Sequence, residues 1–301
     1  MRAGAYPAPV LLDGELLLCG LRGALRPKAA AEPNFLVAGD RVDVARTGSA
    51  TGIITARRER TSWFARGAVT ARQTRRREEQ VLAANLDLVL IVQAAYWPDF
   101  RPARADRYLL AAERGKVEPA VVVNKVDTLA AEAREACRTA LLPVAAMGVP
   151  VLLTSAASGE GLDALRRLAA GRVSAFVGSS GVGKSSLIHA LDPSLERRTQ
   201  AIRERLAKGR HTTTAAEVLP FVDGGFLVDT PGLRAFGLGG GGLEELLMTF
   251  PDVADLAAAC RFRDCRHEQE PDCAVKDAAA AGDLAAGRFD SYRKLRRELA
   301  R

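Results

Sequence analysis

Residues 173–187 read VSAFVGSSGVGKSSL, and the reading of this stretch decides the fold of everything around it. An apolar run of strand length leads into a glycine-rich turn, and SSLIHAL then opens with helical periodicity. From Gly178 through Ser179, Ser180, Gly181, Val182, Gly183 and Lys184 to Ser185, the turn fits the phosphate-loop pattern at each fixed position. Glycines there let backbone N–H groups turn inward around phosphates, and the helix N-terminus adds its positive end. Lys184 is expected to reach the β and γ oxygens as a catalytic residue, Ser185 to ligate Mg²⁺, and Ser186 to line the same site.

A phosphate loop requires a metal-side carboxylate and a base-reading edge. Downstream, GGFLVDTPG puts Asp229 at the end of a strand, where a carboxylate holds Mg²⁺ through water, and Gly232 can offer its N–H to the γ-phosphate. Between them AKGRHTTTAAE has the polar, hydroxyl-rich character of a switch segment. One of Thr212, Thr213 and Thr214 supplies the second hydroxyl ligand, and Thr213 is named for that role and for catalysis. The base-reading edge lies upstream. In AVVVNKVDTLA at 120–130, Asn124 and Asp127 follow a buried strand, so they project from the edge where α/β sheets bind ligands. An aspartate accepting two N–H bonds from guanine rejects adenine, and Lys125 can lay its stem over the purine face. Thr154-Ser155-Ala156 follows the next strand, and a backbone N–H of Ser155 or Ala156 can meet guanine O6. GTP is therefore expected over ATP. The order base, base, phosphate, switch, Mg²⁺ site is that of a circularly permuted GTPase, whose strands keep their places when old termini are joined and a loop is opened.

Residues 10–56 alternate short apolar runs with turn signals, as a small all-β barrel does, and strand-helix alternation from about Leu86 implies a parallel sheet covered on both faces. The glycines of GLGGGG at 237–242 form a linker to a mostly helical C-terminal segment. There Cys260, Cys265, His267 and Cys273 lie within CRFRDCRHEQEPDC, three thiolates and an imidazole that make a full tetrahedral set for structural Zn²⁺. Cys19 and Cys137 sit among apolar neighbours and are expected to be buried and inert. The expected division is an all-β RNA-binding domain at 1–80, the GTPase domain at 81–240, and a zinc-binding helical domain at 241–301.

The 301 residues carry a formal net charge of +7, and between Arg57 and Arg77 eight arginines face the single Glu59. Clustered arginine suits RNA phosphate, because its planar fork pairs bidentately with phosphate oxygens. A second basic stretch, FDSYRKLRRELAR, closes the chain. No apolar run reaches membrane-spanning length and no signal pattern precedes the barrel, so a cytoplasmic protein without membrane contact is expected.

Together these motifs resemble the ribosome small subunit-dependent GTPase A family: GDRV, ANLDLVLIV with PDF and DRYL, NKVD, TSA, GSSGVGKSSL, GRHTTT, DTPG with RAFGL, and the cysteine cluster. The resemblance spans nearly the whole chain. It implies an N-terminal OB-fold, a permuted GTPase domain and a C-terminal zinc domain, with GTP, GDP, Mg²⁺ and one Zn²⁺ as ligands. It also implies late maturation of the small ribosomal subunit, with that subunit and its rRNA rather than DNA as partner. Leu233 stands where Ras-type enzymes place a water-orienting glutamine, so intrinsic hydrolysis is expected to be slow. The resemblance points instead to His211 as the residue that positions water. Two rival readings are a static RNA-binding or RNA-chaperone platform and an ATP-driven nucleic-acid motor. Intact Lys184, Ser185, Asp229 and NKVD oppose the first, and the guanine-reading residues oppose the second. A monomer is expected.

Overall fold

The computed structural model describes residues 8–25, 35–67, 79–195, 217–229 and 242–300. His211, Thr212–Thr214, Gly232, Leu233, Arg72 and Arg75–Arg77 lie outside the described residues, as does the side chain of Asp229.

β1 (Ala8–Leu12) and β2 (Glu15–Leu21) form a hairpin closed by Asp13 and Gly14, both at positive φ as a tight turn matched to strand twist requires. With β3 (Val42–Arg46) and β4 (Thr51–Arg57) they make a four-stranded half-barrel in the order β1-β2-β4-β3. Alternate residues of β2 point inward, so Leu17, Cys19 and Leu21 meet Ala8, Leu36 and Ile54 in a small core of its own. The expected OB-fold is thus represented by this sheet. A separate hairpin of β5 (Trp63–Gly67) and β6 (Glu79–Ala84) spans the junction with the next unit.

The central unit runs β7 (Leu88–Ala94), α1 (Pro102–Arg114), β8 (Glu118–Asn124), α2 (Ala131–Ala140), α3 (Leu142–Ala146), β9 (Val151–Leu153), α4 (Leu162–Ala169), β10 (Val173–Val177), α5 (Lys184–Leu191), β11 (Glu217–Pro220) and β12 (Phe226–Asp229). Its six strands are ordered β11-β12-β10-β7-β8-β9 and are parallel except for the edge strand β11. Every residue of β7 is buried, because the sheet is covered on both faces. Val89, Ile91, Val121 and Val123 pack under α1 and α3, while Leu88, Leu90, Val122 and Phe176 pack under α4 and α5. Burying each such side chain contributes about 1.5–3 kcal/mol.

α6 (Leu243–Thr249), α7 (Pro251–Ala257), α8 (Ala274–Ala281) and α9 (Ala286–Leu299) gather around Leu246, Phe250, Val253, Phe289 and Tyr292. Leu110 of α1 belongs to this core as well, so α1 serves two units at once. Among the described residues no helix is long and apolar enough to cross a membrane. Cys19 and Cys137 are buried, and burial pushes both thiols up.

Candidate functional site

β10 lies between β12 and β7, with β8 on the far side of β7, so the C-terminal ends of these strands bring separate sequence motifs to one edge. Val177 pairs with Ile91, Ala94 with Asn124, and Phe176 with Asp229. The phosphate loop leaves β10 at Gly178, whose φ of 144° and approach to the Val92 carbonyl leave no room for a side chain: a Cβ would stand 2.2 Å from that oxygen. Gly183, at φ 96°, is closed in the same way by the Asn124 amide, 2.3 Å from a hypothetical Cβ. α5 begins at the next residue with no side-chain cap, leaving its first-turn N–H groups for an anion. The Lys184 ammonium donates to the carbonyls of Gly178 (2.8 Å) and Ser179 (3.0 Å), which holds it over the loop.

The base-reading residues divide into two roles. Asn124 is fully buried and acts as a clamp: its Nδ2 donates to the Val182 carbonyl at 3.0 Å, and its Oδ1 accepts the Ala156 N–H at 3.2 Å. One amide therefore joins three motifs that are far apart in sequence. Lys125 takes a left-handed conformation (φ 68°), and its Nζ reaches the carbonyls of Gly181 (2.7 Å) and Trp97 (2.8 Å). These bonds tie the NKVD turn to the phosphate loop and to the segment after β7. Asp127 is exposed on the following 3₁₀ turn, with its carboxylate toward solvent.

In the 154–156 stretch the backbone donors are engaged within the chain. The Ser155 N–H is donated to the Glu160 carbonyl at 2.9 Å, and the Ser155 hydroxyl accepts the N–H groups of Ala157 and Ser158. Ser155 thus shapes the turn, and the Ala156 N–H is donated to the Asn124 side chain. Sequence reasoning also missed Tyr108. It is buried on α1 and hydrogen-bonded to Ser179, so the helix after β7 braces the phosphate loop. The strand-helix alternation from about Leu86 implied a helix here but gave no sign of which ring would meet the loop. A cleft of about 310 Å³ lined by Leu109, Glu113, Glu118, Met147 and Met248 opens at the opposite end of the sheet, where β8 begins, and takes no part in this site.

In the C-terminal unit the four ligand atoms of Cys260, Cys265, His267 and Cys273 lie within 4.8 Å of one another. Zn–S bonds of about 2.3 Å in a tetrahedron give sulfur-sulfur edges of about 3.8 Å, and the Cys260 and Cys273 sulfurs stand 3.8 Å apart. His267 Nδ1 is 3.7 Å from Cys260 Sγ and 3.3 Å from Cys273 Sγ. Burial, together with Arg296, lowers the His267 pKa and favours the neutral ring a metal needs. Burial and the two neighbouring thiols push Cys273 up to about 11, a cost that a bound cation removes. The donor set and spacing fit a closed structural Zn²⁺ site. The knuckle between ligands is fixed by Glu270, whose carboxylate accepts the N–H groups of Arg266, Glu268 and Gln269; backbone donors, its own N–H foremost, lower its pKa to about 2.

The basic cluster at 57–77 is partly spent within the chain. Arg57 donates to the Phe35 carbonyl, Arg58 and Arg60 pair with Asp43 and Asp40, and Arg66 donates to Gln80.

Comparison with known proteins agrees with this geometry. The RsgA GTPase family model matches residues 59–239. A Gemmatimonas aurantiaca protein named small ribosomal subunit biogenesis GTPase RsgA is 44% identical over 289 residues, covering 95% of this chain and 92% of that one. The crystal structure of YjeQ from Thermotoga maritima superposes with a TM-score of 0.72 at 31% identity, covering 95% of this chain and 91% of that one. YloQ, described as a circularly permuted GTPase, gives 0.68 at 26% identity, covering 97% and 90%. With the family model spanning more than half of the chain and the permuted strand order in place, the chain belongs to the RsgA GTPase family.

Proposed function

We propose that this protein binds GTP at the β10–α5 loop and hydrolyses it while engaged with the small ribosomal subunit and its rRNA, as a factor in that subunit's maturation. The observation that carries the reading is the Asn124 clamp, which joins the guanine-reading turn, the 154–156 turn and the phosphate loop into one pocket. The relative's printed name supplies the subunit.

In this reading, N–H groups of 179–186 cradle the phosphates, Lys184 turns from its loop carbonyls to the β and γ oxygens, and Asp127 accepts the guanine N–H groups. Ser185, Asp229 and Thr213 would hold Mg²⁺, which when bound neutralises charge developing on the phosphates. Gly232 would donate to the γ-phosphate. His211 orients the attacking water, since Leu233 beside Gly232 can neither donate nor accept a hydrogen bond. The cysteine cluster holds one Zn²⁺ and takes no part in hydrolysis. Residues 1–80, 81–240 and 241–301 act as the rRNA-facing half-barrel, the GTPase unit and the zinc unit of a cytoplasmic monomer.

The test is GTP hydrolysis by the purified chain with and without small subunits, with ATP as control. Slow basal turnover, raised on the order of 10³-fold or more by subunits and absent with ATP, is the expected result. Subunit binding indifferent to nucleotide, with no stimulation, would return the chain to a static RNA-binding platform.

A further inference from the structure

Between β7 and α1 the chain reads Ala95-Tyr96-Trp97-Pro98-Asp99-Phe100-Arg101. Tyr96 and Trp97 are each 71% exposed, more than any other large hydrophobic side chain among the described residues. A lone exposed apolar group calls for no explanation, but two adjacent aromatic rings at the rim of a ligand site mark a surface meant to be covered.

The backbone beneath these rings is held in place. Lys125 Nζ donates to the Trp97 carbonyl and to the Gly181 carbonyl, so one ammonium ties the aromatic loop to the phosphate loop. A Cβ on Gly181 would lie 3.8 Å from Pro98, in contact across the same seam. On the other side, Arg104 donates to the Asp99 carbonyl at 3.0 Å, and Arg101 makes a loose 3.4 Å pair with the Asp99 carboxylate while remaining 63% exposed. The rings are thus presented on a fixed loop beside two guanidinium groups and one carboxylate.

We propose that Tyr96 and Trp97 form a stacking platform for an unpaired RNA base, with Arg101 and Arg104 serving the adjoining phosphates. The inference rests on the reading that the partner is an RNA particle, and it names the chemistry of one contact. Every base offers a π-face to an aromatic ring, and each stacked base is worth about 1–3 kcal/mol. Paired RNA hides those faces and is read by shape instead. Arg101 and Arg104 beside the loop complement phosphate, with which a guanidinium fork pairs bidentately, and this charge favours a nucleic-acid partner for the rings. Because Lys125 grips both Trp97 and Gly181, a base stacked on this loop also steadies the wall of the nucleotide pocket.

The chain has two tryptophans, so a Trp63→Phe background leaves Trp97 as the only one. The full chain is titrated with an oligouridine of about twelve nucleotides and with an RNA duplex of equal length, following Trp97 emission and its quenching by acrylamide. Expected are a single-strand-specific change in emission, protection from acrylamide, and weakening by added salt. In the parent background, Trp97→Ser and Tyr96→Ser should each weaken binding of labelled single-stranded RNA by about ten-fold, the lower half of the stacking range. Three results would overturn the proposal: no single-strand binding, binding with Trp97 unchanged, or variants that bind like the parent. Neither subunits nor hydrolysis enter this assay, so its failure is separate from failure of the subunit-stimulated turnover.

Discussion

At the scale of single residues, the site is defined by how little space it leaves. Gly183 is both left-handed and pressed against Asn124, so Gly183→Ala must move the amide that links Val182 to Ala156. Left-handed strain alone costs about 1–2 kcal/mol, and displacement of the clamp adds to it. Guanine-nucleotide affinity measured by fluorescent-analogue titration should fall at least ten-fold, with the far-ultraviolet circular dichroism unchanged; an affinity within two-fold of the parent would show that the clamp is not needed. The water-positioning role proposed for His211 predicts the opposite pattern. His211→Ala should remove subunit-stimulated turnover and spare GTP affinity, because a water-positioning side chain stabilises only the transition state. Unchanged stimulated rates would return this histidine to an ordinary loop role. The residue types at these positions were legible in the sequence because phosphate and guanine impose fixed chemistry on short segments. The division of labour was not: nothing in NKVD says that its asparagine faces the protein and its aspartate faces solvent, since that depends on strands meeting across the sheet.

At the scale of elements, α1 connects the units. Tyr108 braces the phosphate loop, Leu110 enters the C-terminal core, and Arg107 makes a bidentate pair with Glu298 of α9 at 2.7 and 2.6 Å. Strand-helix alternation implied a helix after β7, but one apolar stripe cannot announce two different cores. Strand identity was easier to read, because the interiors of β7, β8 and β10 are buried on both faces and so are largely apolar. The zinc knuckle is the other element with a sharp consequence. Its fold rests on the three thiols, the imidazole and the Glu270 carboxylate, so metal removal should act on structure before chemistry. A strong chelator should release one zinc per chain by elemental analysis and open the 258–274 region to protease. Cys260→Ser should lose metal more readily than the parent, and a full complement of zinc in that variant would remove Cys260 from the ligand set.

At the scale of the whole molecule, the sequence runs from β12 to α6 through residues 230–241, and the central and C-terminal units share a direct side-chain contact through α1. Its centre is Arg288. This side chain is 4% exposed, pairs with Asp106 of α1, reaches Asp252 of α7 at 3.1 Å and the Thr249 carbonyl at 2.6 Å, and lies 4.0 Å above the Phe250 ring. Burial pushes the Asp106 carboxyl up, while Arg288 pulls it back down. Removing the arginine alone strands a buried carboxylate, so Arg288→Ala should cost about 3–5 kcal/mol, whereas Arg288→Met with Asp106→Leu should recover most of that loss. The pH dependence follows with a definite sign. A carboxyl whose folded pKa lies above its unfolded value stabilises the fold when protonated, and that contribution is lost as pH rises. The deficit of Arg288→Ala should therefore shrink as pH is lowered from about 8 toward 5, approaching the unfolded aspartate range near 4. Urea unfolding of parent, single and double variants across that range measures it. A loss below about 1 kcal/mol, or one that grows in acid, would mean that Arg288 does not hold the zinc unit against α1. In the other outcome, the double variant isolates coupling from stability. If it is stable yet subunits no longer stimulate its GTP turnover, the ion cluster carries the signal between the units; if stimulation persists, the cluster only fastens them.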